Sequence, residues 1–135
     1  MAYIQKSKSD KWQTPPEIYN PLDKEFKFNY DPCPITWKIG DPDGLITEWG
    51  TSTFCNPPYS NVAEWIKKAS IESEKGKTVV MLINAITDTI AFHKYIYGKA
   101  EIRFLKGRIK FINPLNPSQR TPNVKASMIV IFNHI

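Results

Sequence analysis

The stretch from Thr78 to Ile83, Thr-Val-Val-Met-Leu-Ile, is an unbroken apolar run of strand length. A strand with one wet face alternates apolar and polar residues, so a run without alternation describes a strand covered on both faces, as at the centre of a parallel sheet. The chain must therefore supply a layer on each side of it. Its 135 residues suffice for one domain, which buries somewhat less than ~70% of the surface its unfolded form exposes. Covering helices can be read before and after the run. Upstream, Asn61-Val62-Ala63-Glu64 has the form of a capping box, and Val62, Trp65, Ile66 and Ala69 lie at the spacing of one helical face. Glu64, Lys67, Lys68 and Glu72 are expected to face water, and Gly76 to end the helix. Downstream, Asp88 caps a second helix through Ala91, Phe92, Tyr95 and Ile96 that stops at Gly98.

The remaining elements follow from the same signals. Thr14-Pro15-Pro16-Glu17 offers an N-cap, a proline at the first helical position and an early acid, opening a helix with Ile18, Leu22 and Phe26 that Pro21 should kink or shorten. Phe26 to Tyr30 alternates and ends at Asp31-Pro32, which reads as a strand delivering an acid to a loop. Between there and Ser52 the chain is broken by Gly40, Pro42, Gly44 and Gly50. Ser52 to Cys55 and Glu101 to Leu105 are further strands. Arg108 to Ile112 and Ser127 to Phe132 read as a hairpin around a Pro/Asn-rich loop. The expectation is an α/β fold, a compact and mostly parallel Rossmann-like sheet ending in an antiparallel hairpin. Residues 1–11 form a flexible basic arm and 12–135 a single domain. Ligands of such sheets bind beyond the carboxyl ends of the strands, which puts Asp31, Asn56 and Asn84 on one rim.

Asn56-Pro57-Pro58-Tyr59 stands on that rim between a strand and a helix. The exocyclic amine of a nucleobase is a poor nucleophile because its lone pair is delocalised into the ring. A catalyst must hold the amine with acceptors, and the Asn56 side-chain oxygen and the Pro57 carbonyl can each take one of its N–H groups. Pro57 and Pro58 cannot donate and fix the backbone, and Tyr59 can stack on the base. A rigid turn is the bland alternative. The amine could belong to adenine or cytosine, since the same four residues serve either.

Composition is compatible with a nucleic-acid partner. The net charge is +5, which favours a polyanion without specifying one. Lys99, Arg103, Lys106, Arg108 and Lys110 cluster in the last third, where a phosphate track and an ordinary solvated face are both open readings. No apolar stretch approaches the roughly 20 residues of a membrane span, and Met1 to Lys11 lacks the apolar region of a signal peptide, so a cytoplasmic location is expected. Cys33 and Cys55 suit reduced thiols better than a disulfide framework. His93 and His134 have no metal-ligand spacing, and no metal is expected.

The order of motifs resembles that of the phage and prophage Dam-type N6-adenine DNA methyltransferases. The resemblance is carried by Trp12-Gln13-Thr14-Pro15, Phe28-Asn29-Tyr30-Asp31 with Pro32-Cys33, Asp43-Gly44-Leu45 with Trp49, Asn56 to Ser60 with Trp65, and Gly107 to Phe111. It implies S-adenosylmethionine as cofactor and DNA as partner. It further implies that Asp31, beside Pro32, binds the methionine ammonium, that Trp12, Thr14 and Pro15 pack beside the methionine end, and that Asp43 binds the ribose hydroxyls. Asn56 to Tyr59 would be catalytic; the candidate DNA contacts come from charge and position instead, Arg103, Arg108 and Lys110 from the basic cluster and Arg120 from the Asn113 to Asn123 loop. Asp31 to Thr36 holds no glycine, where such methyltransferases usually place a Gly-rich turn. No separate target-recognition domain fits, so selectivity would come from loops, including Asn113 to Asn123, or from a partner subunit. Two other readings exist. Cytosine C5 methylation through Pro32-Cys33 is disfavoured because Cys33 comes too early in the motif order, and a degenerate module that binds without methylating is disfavoured by the intact quartet.

Overall fold

Thr78–Asn84 is the buried strand that the apolar run predicts, and the whole architecture is arranged about it. The computed structural model describes residues 12–133; the expected arm at 1–11 and His134 lie outside them. In chain order the elements are α1 (Pro16–Phe26), β1 (Ser52–Cys55), a 3-10 turn (Tyr59–Asn61), α2 (Val62–Ser73), β2 (Thr78–Asn84), a π-helical turn (Phe92–Ile96), β3 (Glu101–Phe104), β4 (Lys110–Asn113), β5 (Asn116–Pro122) and β6 (Ser127–Asn133). The main sheet has the order β1-β2-β6-β3, and β4 and β5 form a separate two-stranded ribbon.

Alternate residues of β2 enter two cores. Val79, Met81 and Ile83 pack with Trp65, Ile66 and Ala69 of α2 and with Phe92 and Ile96 of the π-helical turn. Val80 and Leu82 pack with Leu22 of α1, Phe54, Ile109 and Phe111. The two layers required by the unbroken run are thus α2 with the π-helical turn on one face and α1 with part of the ribbon on the other.

The sheet is mostly antiparallel, which corrects the expectation of a mostly parallel Rossmann-like sheet. Among the paired strands of the main sheet only β1 and β2 pair in parallel, while β6 pairs antiparallel with both β2 and β3. The error has a physical origin: an apolar run reports burial on two faces and is silent about direction. The expected C-terminal hairpin is also re-paired. β4 pairs with β5, the segment read as a Pro/Asn-rich loop, and β6 instead enters the main sheet. β5 is exposed along its whole length and carries Pro117 and Pro122, so its composition hides a strand that can exist only at an edge.

Smaller differences bear on the site. The expected strand Phe26 to Tyr30 shrinks to one parallel bridge, Tyr30 with Thr53, flanked by Asn29 N–H to the Ser52 carbonyl at 2.8 Å and Phe54 N–H to the Tyr30 carbonyl at 3.1 Å. Lys27 ends α1 in the left-handed conformation, which takes the residues needed for a longer strand. α1 begins at Pro16 without a side-chain cap and continues through Pro21, so Thr14 is not its N-cap. Asn61 makes no cap hydrogen bond either; its Oδ1 accepts from the Trp65 ring N–H at 3.2 Å. At the π-helical turn the capping oxygen is Thr89 Oγ1, 3.1 Å from the Phe92 nitrogen, rather than Asp88. Glu72, expected in water, is fully buried.

Candidate active site

Tyr30 and β1 run parallel, as do β1 and β2, so Asp31, Asn56 and Asn84 do share one rim of the sheet. Asn56 leaves β1 directly, and the buried Pro57 and Pro58 carry the chain in an extended conformation into the 3-10 turn that opens α2. The Asn56 Nδ2 donates to the Trp12 carbonyl at 3.0 Å and to Thr14 Oγ1 at 3.1 Å. The amide nitrogen is therefore engaged on the Trp12 and Thr14 side, which orients the side chain with its acceptor, Oδ1, away from them.

Beside Asn56 opens a cleft of about 330 Å³, walled by Trp12, Thr14, Tyr19, Asp31, Cys33 and Asn56 among others. That volume lies at the lower end of small-molecule sites, roughly 300–1,000 Å³. Asp31 makes no ion pair among the described residues. Its Oδ1 accepts the Cys33 N–H at 3.0 Å. Although solvent reaches it through the cleft, crowding by the surrounding protein pushes its carboxyl up to about 6, only partly offset by that N–H. An anion held in this state gains most from a cation brought against it.

A second cleft of about 480 Å³ lies between the start of α2 and the ribbon, lined by Trp12, Tyr59, Ser60, Phe111, Thr121 and Asn123 among others. Trp12 belongs to both clefts. Asn123 closes the far side by donating to Asn84 Oδ1 at 2.8 Å and Ser127 Oγ at 3.2 Å, which ties the ribbon's exit to the end of β2.

Other predicted site residues are placed as scaffold. Pro15 is buried, and its carbonyl accepts from the Ile18 and Tyr19 nitrogens at 3.0 Å each. Asp43 lies outside the cleft, where its Oδ1 accepts the Leu45 N–H at 2.9 Å. Gly44 seats on Pro32 so closely that a Cβ would stand 2.0 Å from the Pro32 carbonyl oxygen, and its own carbonyl receives the Trp49 ring N–H at 2.7 Å. The Asp-Gly-Leu…Trp spacing thus fixes a loop against the turn after Tyr30. Cys33 and Cys55 are free thiols with sulfurs 3.5 Å apart. Burial pushes the Cys33 thiol up, which is the opposite of an activated nucleophile and counts against the cytosine C5 reading.

The four basic residues assigned to DNA separate into two kinds. Arg103 is held by Glu25 through two bonds of 2.8 Å and by Glu101 at 2.6 Å, and Arg120 is held by Glu17. Arg108 and Lys110 are exposed and, with Lys106, line a shallow surface cleft without an ion pair among the described residues. Sequence reasoning missed Tyr19 and Asn20, which reach the first cleft from α1. A signal for them existed, because Pro16, Tyr19 and Asn20 share one helical face at 3, 4 spacing.

A family profile described as DNA N-6-adenine-methyltransferase (Dam) matches residues 2–135. The chain belongs to the Dam family. A protein named DNA N-6-adenine-methyltransferase from Haemophilus phage HP1 (strain HP1c1) is 31% identical over 139 residues, covering 94% of this chain and 80% of the relative. No solved structure matches. Membership supports adenine N6 methylation of DNA as the general function, and this Dam-family chain has Asn56-Pro57-Pro58-Tyr59 intact, with Asn56 lining the first cleft and Tyr59 the second. Among the described residues no helix is long and apolar enough to cross a membrane, and no group of three His, Cys, Asp or Glu is placed to hold a metal.

Proposed function

We propose that this single-domain protein transfers a methyl group from S-adenosylmethionine to the N6 amine of adenine in DNA, within the cytoplasm of a bacterial or phage-infected cell. The observation that carries the reading is the junction of the two clefts, with Asp31 and Asn56 on one side, Tyr59 on the other and Trp12 between. The Asp31 carboxylate, without an ion pair among the described residues and sharing the cleft with Trp12 and Tyr19, fits a cofactor with a cationic amino-acid end and an aromatic end. When bound, the cofactor supplies a methyl group activated on a positively charged sulfur.

The protein's part is positioning. Adenine's amine is paired inside the duplex, so the base must leave the stack to reach the rim. Tyr59 offers its ring for stacking in the second cleft. Asn56 Oδ1 and the Pro57 carbonyl accept the two N–H groups, drawing the nitrogen toward tetrahedral geometry and aiming its lone pair at the first cleft. The proton lost from nitrogen afterwards passes to water, so the step needs no strong base. Lys106, Arg108 and Lys110 are the phosphate contacts this reading favours, while Arg103 and Arg120 stay with their carboxylate partners Glu25 and Glu17.

Incubation with methyl-labelled cofactor and mixed DNA, then digestion to nucleosides, tests this directly. Label in N6-methyl-2′-deoxyadenosine is expected. Asn56→Ala should abolish incorporation while cofactor binding stays near normal. A chain that binds DNA but never incorporates label is the degenerate module instead.

A further inference from the structure

The Asn56 amide could in principle sit either way round. With Oδ1 toward the substrate it accepts from the amine; rotated by half a turn about its last bond it presents an N–H to that same amine, which cannot help the transfer. The chain decides between them with two acceptors set behind the amide, the Trp12 carbonyl at 3.0 Å and Thr14 Oγ1 at 3.1 Å. Trp12 contributes a backbone oxygen, which no substitution removes. Thr14 contributes a side chain, and its hydroxyl caps no helix, because α1 starts two residues later without a side-chain cap.

We propose that Thr14 is a positioning residue for methyl transfer, acting through Asn56 by fixing the acceptor orientation of its amide. This inference rests on the catalytic reading of Asn56 given above. It assigns the hydroxyl a different task from the cofactor contact implied by the family resemblance, although Thr14 also lines the first cleft. The two tasks separate experimentally, because a cofactor contact governs affinity for the cofactor and an amide lock governs the rate of the chemical step.

Thr14→Val removes the acceptor at nearly constant volume and leaves the Trp12 carbonyl as the amide's single anchor. Loss of one half-buried neutral hydrogen bond that holds the reactive geometry corresponds to a fall in kcat of about tenfold. The cofactor dissociation constant and the melting temperature should stay close to wild type, and Thr14→Ser, which keeps the oxygen, should restore most of kcat. Thr14→Ala, which adds no bulk, should repeat the loss if the valine variant folds poorly. A weakened cofactor affinity with unchanged kcat, or an unchanged enzyme in both Val and Ala variants, overturns the assignment. Asn56→Ala measured alongside keeps the levels apart: if it remains active the catalytic reading fails, whereas an inactive Asn56→Ala beside a fully active Thr14→Val sinks only the lock.

Discussion

Asp31 is the residue whose chemistry is most exposed to pH. Its folded-state value of about 6 stands above the ordinary 3.8, so the native protein holds this proton more tightly than the unfolded chain does. Stability therefore falls as pH rises from about 4 to about 6, because the carboxylate must ionise in a crowded cleft that disfavours charge. Asp31→Asn should raise stability at pH 7 by about 1 kcal/mol, a figure kept small because the cleft admits water, and thermal melts across that window would read it. Binding has the opposite slope: a cationic ligand wants the ionised form, so cofactor affinity should drop about tenfold per unit below pH 6 and flatten above it. In Asp31→Asn the affinity should be low and nearly level across the same range. Calorimetric titrations giving the same profile for both proteins would remove Asp31 from the cofactor site. Tyr59 makes a contrasting case, since stacking depends on the ring: Tyr59→Phe should keep kcat/KM within a few fold and Tyr59→Ala should lose about 1–3 kcal/mol of base binding, read by steady-state kinetics.

At the scale of elements, the loop before β1 is fastened to α2 by Glu72. Its Oε1 accepts the Trp49 backbone N–H at 2.8 Å and pairs with Lys77 at 2.7 Å, while Oε2 pairs with Lys75 at 2.7 Å and Lys68 at 3.0 Å. Burial alone would raise this carboxyl, but the bonds from Lys75, Lys77, Trp49 and Lys68 together hold it well below its usual 4.5. The contribution is present above pH 4.5 and lost as pH falls further. Glu72→Gln should cost about 3 kcal/mol, because it leaves three ammonium groups clustered with only the exposed Glu48 carboxylate, 3.3 Å from Lys77 and 3.8 Å from Lys75, to answer them; chemical denaturation at pH 7 would measure it, and a change under 1 kcal/mol would mean the cluster is not a fastening. Helical spacing puts Glu72 on the apolar stripe, three residues after Ala69 and seven after Trp65, and only its charge argues for water; what the charge hides is the set of lysines that neutralise it, Lys68 on α2 and Lys75 and Lys77 in the turn before β2. What was legible was each element's burial and the identity of the rim. β2, β1 and α2 were found because burial leaves its pattern in one segment. Strand direction, the insertion of β6 beside β2 and the β4–β5 ribbon were hidden because they depend on which segments meet. The site followed the same division. Asn56, Asp31 and Trp12 were legible by motif, whereas the Thr14 contact to Asn56, across a separation of 42 residues, belongs to no local signal.

For the whole molecule, the question is how a net charge of +5 meets a polyanion when several of its cations are already paired. Arg103 and Arg120 join β3 and β5 to α1 through Glu25 and Glu17, so a phosphate reaching either must displace a carboxylate that then stands uncompensated beside it. Lys106, Arg108 and Lys110 make no ion pair among the described residues, and they form a strip next to the start of α1, where the one carboxylate lining the same cleft, Glu17, is engaged by Arg120. Each cation that neutralises a phosphate releases condensed counterions and adds about 0.9 to the slope of log affinity against log salt. Arg108→Ala and Lys110→Ala should each lower that slope by about 1 without changing which nucleoside is methylated. Arg103→Ala should lower it by much less and act chiefly on stability, since the bidentate bond to Glu25 ties α1 to the sheet edge. Fluorescence titrations of DNA over a tenfold salt range would distinguish the classes. If Arg103 carried as steep a share as Arg108, the carboxylates would have to move aside on binding, and DNA would meet the α1 side of the sheet as well as the strip.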